Sequence, residues 1–424
     1  MIDDIDYHIV RDVDTCLLYD VNASRIFRIS SEAGDYLERL ESESEFHSIV
    51  EYLSKGTSCE RPICIVDFCS SAWWHTGRLD KLTLNVTYQC NLRCKYCYAS
   101  FGKYDSLESS TGTERFTSYI DILCRFGVHE IGEIMFFGGE PMLAPDVIEG
   151  ICDHIRNLVD AQILDSVPDY TMISNLTVLD DRMVEMIEHN DIHITMSIDG
   201  PEEVNDLLRI TADGAGTFRR IKSNWLKIKD HIVNAEATYT RVQEDHGISY
   251  RNLQDWLSRE FNLPRENCIV VPVYDCPGYE VESDLTRDLF QETSFDAEDG
   301  DLLEIIRRNA TMDVFCTAGY GSLCILPNGD MYPCHMYAID RYYLLGNIME
   351  LKDMDDYILK LQLLDSVRKN QWPACDGCWA RRICHFCPAL IICGHHDSLL
   401  VDGSVCERRR FSFDCTLRKI LEKA

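Results

Sequence analysis

Three cysteines stand within one short run, Cys90-Asn-Leu-Arg-Cys94-Lys-Tyr-Cys97. Spacings of three and then two residues let a single loop wrap one iron-sulfur cubane and supply three thiolates, leaving the fourth iron open to a reacting molecule. A structural zinc site would instead close with four ligands, and no histidine stands near this trio. A second group begins at Cys316, followed by twelve residues, Gly329, four residues and Cys334. It continues as Cys375-x2-Cys378-x5-Cys384-x2-Cys387-Pro388 and ends at Cys406. Paired CxxC steps of this kind serve iron or zinc.

The rest of the composition says where such thiols would work. The N-terminus, MIDDIDYHIVRDVD, has neither the basic start nor the apolar run of a signal peptide, and no later run reaches membrane-spanning length. The expectation is a cytoplasmic protein without a membrane anchor. In that reducing setting its 21 cysteines point to metal ligation rather than a disulfide framework. Lys+Arg 41 against Asp+Glu 71 gives a net charge of -30, which excludes a nucleic-acid footprint and favours a basic or apolar partner segment.

Positioning these loops takes regular elements. Between about 80 and 275 the runs LTLNV, EIMFF, YTMIS, HITMSI, AEATYT and CIVVPVY alternate with helical segments. That alternation predicts a parallel sheet with right-handed crossovers, six units of a partial (β/α)6 TIM-type barrel whose site lies after the strands' carboxyl ends. The cysteine loop follows the first run, and Phe137-Gly138-Gly139-Glu140-Pro141 follows the second. Ser174-Asn175 follows the third and Ser197-Ile198-Asp199-Gly200 the fourth, with Arg209 beyond. Upstream, YHIVRD, TCLLYD and SRIFRIS predict three short strands, and EAGDYLERLE and EFHSIVEYLSK two helices. An acidic stretch within 277–315 looks like a connector, after which the alternation stops.

The cysteine loop at the end of a first strand, with Gly138-Gly139-Glu140-Pro141 one unit later, resembles the radical S-adenosylmethionine (SAM) enzymes. The resemblance implies that SAM binds the open iron of a 4Fe-4S cluster on Cys90, Cys94 and Cys97, and that Gly138, Gly139 and Glu140 meet its ammonium. It further implies that Ser174, Asn175 and Ser197 contact the ribose and methionyl groups, Arg209 the carboxylate, and the backbone of Tyr96 the adenine. As a side chain, Tyr96 would serve equally well in packing.

The C-terminal spacing resembles the SPASM extension of peptide-modifying members, which carries two auxiliary 4Fe-4S clusters. By that pattern Cys316, Cys334 and Cys387 hold the first, and Cys375, Cys378, Cys384 and Cys406 the second. Here two residues rather than three separate Cys384 from Cys387, so Cys393 competes with Cys387, and Cys324 is available as a fourth ligand to the first cluster. A zinc ribbon would satisfy the same spacing. Cys16, Cys124, Cys152, Cys268, Cys276 and Cys415 read as small buried hydrophobes. Cys59, Cys64 and Cys69 lack a fourth partner, His395-His396 reads as a solvated turn, and Trp73-Trp74 as packing.

The N-terminal strand-strand-strand-helix order resembles the winged-helix-like RiPP recognition element, which binds a precursor's leader peptide as an added strand. Three domains follow: 1–75 for leader binding, 80–300 for the radical SAM core and 310–424 for SPASM. The stretch Leu326-Pro-Asn-Gly-Asp-Met-Tyr-Pro-Cys334-His335-Met-Tyr resembles SCIFF-type and ranthipeptide thioether-forming maturases; anaerobic sulfatase maturases carry an aspartate where His335 stands. The implied partners are a ribosomally made precursor peptide with its leader and an electron donor such as flavodoxin or ferredoxin. The implied product is a thioether between cysteine sulfur and a carbon. Carbon-carbon crosslinking, epimerisation and a sulfatase-maturase-like oxidation share these motifs, and a zinc-bound, non-catalytic scaffold is the reading from another class.

Overall fold

The computed structural model describes residues 7–11, 15–21, 25–38, 72–99, 112–273, 276–281, 314–375, 377–381, 383–384, 387–389, 406–407, 409–411, 413–414 and 417–418. The second N-terminal helical pattern, Cys59, Cys64, Cys69, Cys393, His395-His396, Cys415 and most of the acidic connector lie outside these. The chain forms two compact units, one of Met1–Phe68, Asp284–Cys316 and Leu364–Ala424, the other of Cys69–Ser283 and Thr317–Leu363.

In the larger unit all six expected strands form: β4 (Arg78–Thr87), β5 (Glu130–Gly138), β6 (Asp169–Ser174), β7 (His193–Ser197), β8 (Ile232–Tyr239) and β9 (Cys268–Pro272). Each pairs in parallel with the next. Helices Thr113–Arg125, Pro145–Asp160 and Asp181–Asn190 lie in the crossovers between β4 and β7. The last of these starts on Asp180, whose carboxylate accepts from Met183 N at 2.8 Å, as an N-cap should.

Parallel strands covered on both faces are usually apolar throughout. Here β4, β7 and β8 are, through their middles, apolar only at alternate positions, while β5 and β6 add Met135, Phe137 and Ile173 on the second face. Leu82, Leu84, Ile134, Phe136, Tyr170, Met172, Ile194, Met196, Ala235 and Ala237 are buried on one face. Register places Lys81, Thr83, Asn85, Glu133, Thr171, Thr195, Ser197, Asn234 and Glu236 on the other. A sheet that presents a largely polar face from the middle of its strands has a surface to offer a ligand.

The sheet continues past β4 in a way the sequence reading lacks. β10 (Ser322–Ile325) runs parallel to β4, β11 (Asp330–Tyr332) returns antiparallel, and β12 (Gly346–Asn347) closes a nine-stranded order β12-β11-β10-β4-β5-β6-β7-β8-β9. Gly329 makes the β10–β11 turn at φ +91°, where a side chain would be strained. Trp73 is buried and packs edge-on to Tyr357 at 5.5 Å, so the tryptophan pair is packing.

In the other unit β1 (Tyr7–Arg11), β2 (Thr15–Asp20) and β3 (Arg25–Ser30) make an antiparallel sheet followed by a helix, Ser31–Leu37. No helix among the described residues is long and apolar enough to cross a membrane.

Candidate functional site

The carboxyl ends of β4 and β5 carry the two main motifs, and their backbones interlock. Gly139 N donates to Thr87 O at 2.9 Å and Glu140 N to Gln89 O at 2.8 Å. A Cβ on Gly138 would lie 2.3 Å from Thr87 O, and one on Gly139 2.2 Å from Gln89 O, so neither position admits a side chain. The cysteine loop is tied on its far side as well: Arg93 N donates to Ile210 O at 2.7 Å and Lys95 N to Leu208 O at 3.0 Å. Cys90, Cys94 and Cys97 are thereby held in one anchored loop, and Cys90 feels the charge of both others.

Glu140 is the post that holds the next strand end. Its carboxylate, 1% exposed, accepts from Met142 N at 3.0 Å, Ser174 Oγ at 2.7 Å and Asn175 N at 2.7 Å. Both oxygens are thus engaged within the chain, and burial raises the carboxyl's pKa against those bonds. Asn175 passes the connection on: its Nδ2 donates to Asn91 Oδ1 at 3.1 Å and lies 4.0 Å from Cys90 Sγ.

Beyond β7, Asp199 is fully buried and takes Thr238 N at 3.0 Å and the Tyr96 hydroxyl. Arg209 Nη1 donates to Tyr96 Oη at 2.6 Å and stands 3.7 Å from Asp199. The Tyr96 side chain is therefore a polar tie rather than packing. Burial works against the Arg209 charge, but Tyr96, Cys94 and Asp199 outweigh it. Arg209 Nε is buried without a partner, a donor left over for an anion. Ser197 and Glu236 are register neighbours on the polar face, and burial raises the Glu236 pKa. Glu236 and Asn85, whose Nδ2 is buried without a partner, were not among the expected site residues. The signal for them is the polar residue at every second position within otherwise apolar strands.

Around the added strands, Cys324 is fully buried in β10, 3.9 Å from Asn85 Oδ1, and its thiol is raised by burial and then by neighbouring Cys334. His335 lies against the Phe137 ring with centroids 4.9 Å apart. Burial, then Lys81, lowers its pKa to about 4. Cys334 belongs to this unit, Cys316 and Cys387 to the other. There the Cys375 thiol is pushed up to about 12 by burial and then by Cys384, Cys378 and Cys406. The four cysteines grouped from sequence are thus near neighbours.

As the side chains stand, no three His, Cys, Asp or Glu groups among the described residues enclose a metal position. The donor chemistry nevertheless fits iron-sulfur clusters. Burial pushes Cys90 up to about 12 and Cys94 up to about 11, so a cation is what would make them thiolates. The glycine approach and the spare Arg209 donor fit SAM beside them.

Residues 84–242 match the radical SAM superfamily and residues 316–379 an iron-sulfur cluster-binding domain, SPASM. The chain carries a radical SAM domain followed by a SPASM domain. Its cofactors are accordingly SAM and 4Fe-4S clusters, auxiliary clusters included. An uncharacterized protein of Methanocaldococcus jannaschii is 35% identical over 134 residues, 31% of this chain and 43% of that protein. The chain thus spans less than half the length of this relative. A cysteine-type anaerobic sulfatase-maturating enzyme of Clostridium novyi is 25% identical over 302 residues, 62% of this chain and 75% of that enzyme. Among solved structures, native anSMEcpe with bound AdoMet and Cp18Cys peptide superposes with a TM-score of 0.61 at 20% identity, covering 81% of this chain and 98% of that one. It shares the α/β fold with its mostly parallel sheet.

Proposed function

We propose that the chain is a radical SAM maturase that installs thioether crosslinks between cysteine sulfur and a carbon of an acceptor residue in a ribosomally made precursor peptide. The observation that carries the catalytic half is the Cys90–Cys97 loop fastened to Gly138–Gly139 beside the unpartnered Nε of Arg209. Cys90, Cys94 and Cys97 hold the SAM-binding cluster, and Arg209 takes the SAM carboxylate. The Gly138–Gly139 backbone lines the methionyl end, and Ser197, with the backbone of Tyr96, the nucleoside. Glu140, Ser174 and Asn175 fix the loop geometry through the bonds they already make. When bound, SAM and its cluster supply a 5'-deoxyadenosyl radical that takes hydrogen from an unactivated carbon. The protein's share is to hold that carbon close and exclude water.

Cys375, Cys378, Cys384 and Cys406 hold one auxiliary cluster, and Cys316, Cys334 and Cys387 the other. The burial of Cys324 beside Cys334 supports it as an added ligand there. The N-terminal sheet and helix, with residues 1–75, serve as the leader-binding element, and a flavodoxin or ferredoxin delivers the electron. The peptide substrate class is supported by the peptide bound in the anSMEcpe structure, and the thioether by His335 standing where sulfatase maturases carry an acid. Oxidation of a protein cysteine is the second reading, favoured by the Clostridium relative.

The test is reconstituted enzyme acting on a cysteine-rich peptide encoded beside its gene. Each thioether removes about 2 Da and consumes a thiol, so the product resists iodoacetamide at the crosslinked cysteines. Equal mass loss with every thiol still alkylated refutes thioether formation and indicates a carbon-carbon link. Solvent deuterium uptake without mass loss in water indicates epimerisation and refutes it too.

A further inference from the structure

The face of the N-terminal sheet bearing Val10, Leu17, Tyr19 and Val21 does not close on its own helix. It shares one core with Ala380, Ile383, Phe413 and Leu417, against which Ile26, Cys378, Trp379 and Cys384 pack. The opposite face keeps a separate core of Cys16, Leu18, Phe27, Ile29 and Leu37. One face of the sheet is therefore covered by segments that carry or follow Cys375, Cys378, Cys384 and Cys406.

The cysteine segment is folded so that this can happen. Cys378 N donates to Cys375 O at 3.2 Å, Arg381 N to Cys378 O at 3.1 Å and Cys384 N to Ala380 O at 2.8 Å. These tight turns send Ala380 and Ile383, each 1% exposed, into the shared core. His8 on β1 then joins the two cysteine-bearing segments. Its ring stacks on Trp379, the residue after Cys378, with centroids 3.7 Å apart and planes 5° from parallel. Its Nε2 is 2.8 Å from Asp414 Oδ1, on the segment that follows Cys406. Asp414 also accepts from Arg418 Nε at 2.7 Å, and Arg418 Nη1 donates to Arg11 O at 3.3 Å.

We infer that the N-terminal sheet is part of the second auxiliary-cluster site, with His8 as the positioning residue that fixes the Cys378 turn relative to Cys406 through Trp379 and Asp414. The inference rests on the proposed reading of Cys375, Cys378, Cys384 and Cys406 as ligands of one cluster. A loop this short has little core of its own, so the geometry offered to iron depends on what it is packed against. Substituting His8 removes both the stack and the bond while leaving all four thiols in the chain.

The test uses the full chain with Cys90, Cys94 and Cys97 replaced by alanine, so that only auxiliary clusters load. Iron content, electron paramagnetic resonance and the midpoint potential of each cluster are read after anaerobic reconstitution. His8→Ala is expected to take iron from about eight per chain to about four, or to leave eight with the potential of one cluster moved. His8→Phe keeps a ring on Trp379 without the Asp414 bond and is expected to retain iron while shifting that same potential. Unchanged iron and potentials in both variants overturn the inference. Loss of both clusters together, or of helical circular dichroism, assigns the sheet to general folding and also overturns it. Cys378→Ala separates the premise from the inference: if it leaves both clusters intact, the ligand assignment is what fails.

Discussion

Replacing Glu140 by alanine leaves Ser174 Oγ free to turn, but strands the amides of Met142 and Asn175, bonded to it at 3.0 and 2.7 Å. A buried amide without an acceptor costs about 1–3 kcal/mol, so the pair costs about 2–6 kcal/mol. The carboxylate's own burial, which raises its pKa, offsets part of this. The net destabilisation of the loop is then about 1–4 kcal/mol. At 1.4 kcal/mol per tenfold, hydrogen exchange at the two amides should quicken roughly 5- to 700-fold. Peptides covering 138–144 and 172–178 of metal-free protein, followed by mass spectrometry, read this directly. Glu140→Gln refines the test. Its remaining oxygen can still serve Met142, whereas its NH2 confronts the Asn175 amide, so exchange should quicken at Asn175 alone. Protection unchanged within about threefold at both amides in Glu140→Ala would show that the carboxylate does not organise the loop.

Two further outcomes follow from the same geometry. Converting Cys90, Cys94 and Cys97 together to alanine should lower iron from about twelve to about eight per chain and end 5'-deoxyadenosine production, with the auxiliary signals intact. Deoxyadenosine from that variant would remove the loop from the chemistry. Burial alone would raise the Asp414 carboxyl, but the bonds from His8 and Arg418 more than offset it and the pKa is lowered. A depressed carboxyl contributes stability above the ordinary value of about 3.9 and loses it as pH falls through the depressed one. Asp414→Asn should therefore cost about 0.5–1.5 kcal/mol at pH 7, with the gap closing in acid. A gap that widens below about pH 4 in denaturant titrations contradicts the assignment.

The strands were legible as short apolar runs, some of them alternating: LTLNV hides Leu82, Leu84 and Val86 and turns Thr83 and Asn85 the other way. Local spacing likewise brought Cys90, Cys94 and Cys97 onto one loop, the trio proposed to hold the SAM-binding cluster. What local pattern could not carry was pairing at a distance. β10 joins β4 across more than two hundred residues of sequence, and SLCI is too short to announce itself as a strand. The role of Glu140 was hidden for a related reason. A buried acid beside a glycine pair gives no sequence sign of the three donors it accepts from, two of them one strand away. His8 gave no signal at all, because its partners Trp379 and Asp414 lie at the other end of the chain.

Under the proposed ligand assignment, burial of the thiols ties these elements to the clusters in one energetic step. In the metal-free chain Cys90 and Cys375 are pushed up to about 12, and Cys94 and Cys384 up to about 11, so at neutral pH they remain protonated. Loading iron must displace those protons, and the binding free energy is spent partly on ordering the loops that present the sulfurs. The Cys90 loop meets little of that demand, because β5 and the 208–211 segment already fasten it by backbone bonds on both sides. The Cys375–Cys384 segment makes its own turns and packs, with Phe413 and Leu417, on the face offered by the N-terminal sheet. Of the two sites, the second therefore depends more on chain that is remote in sequence. A substitution in the N-terminal sheet should accordingly be felt at the auxiliary iron before it is felt at the SAM-binding loop.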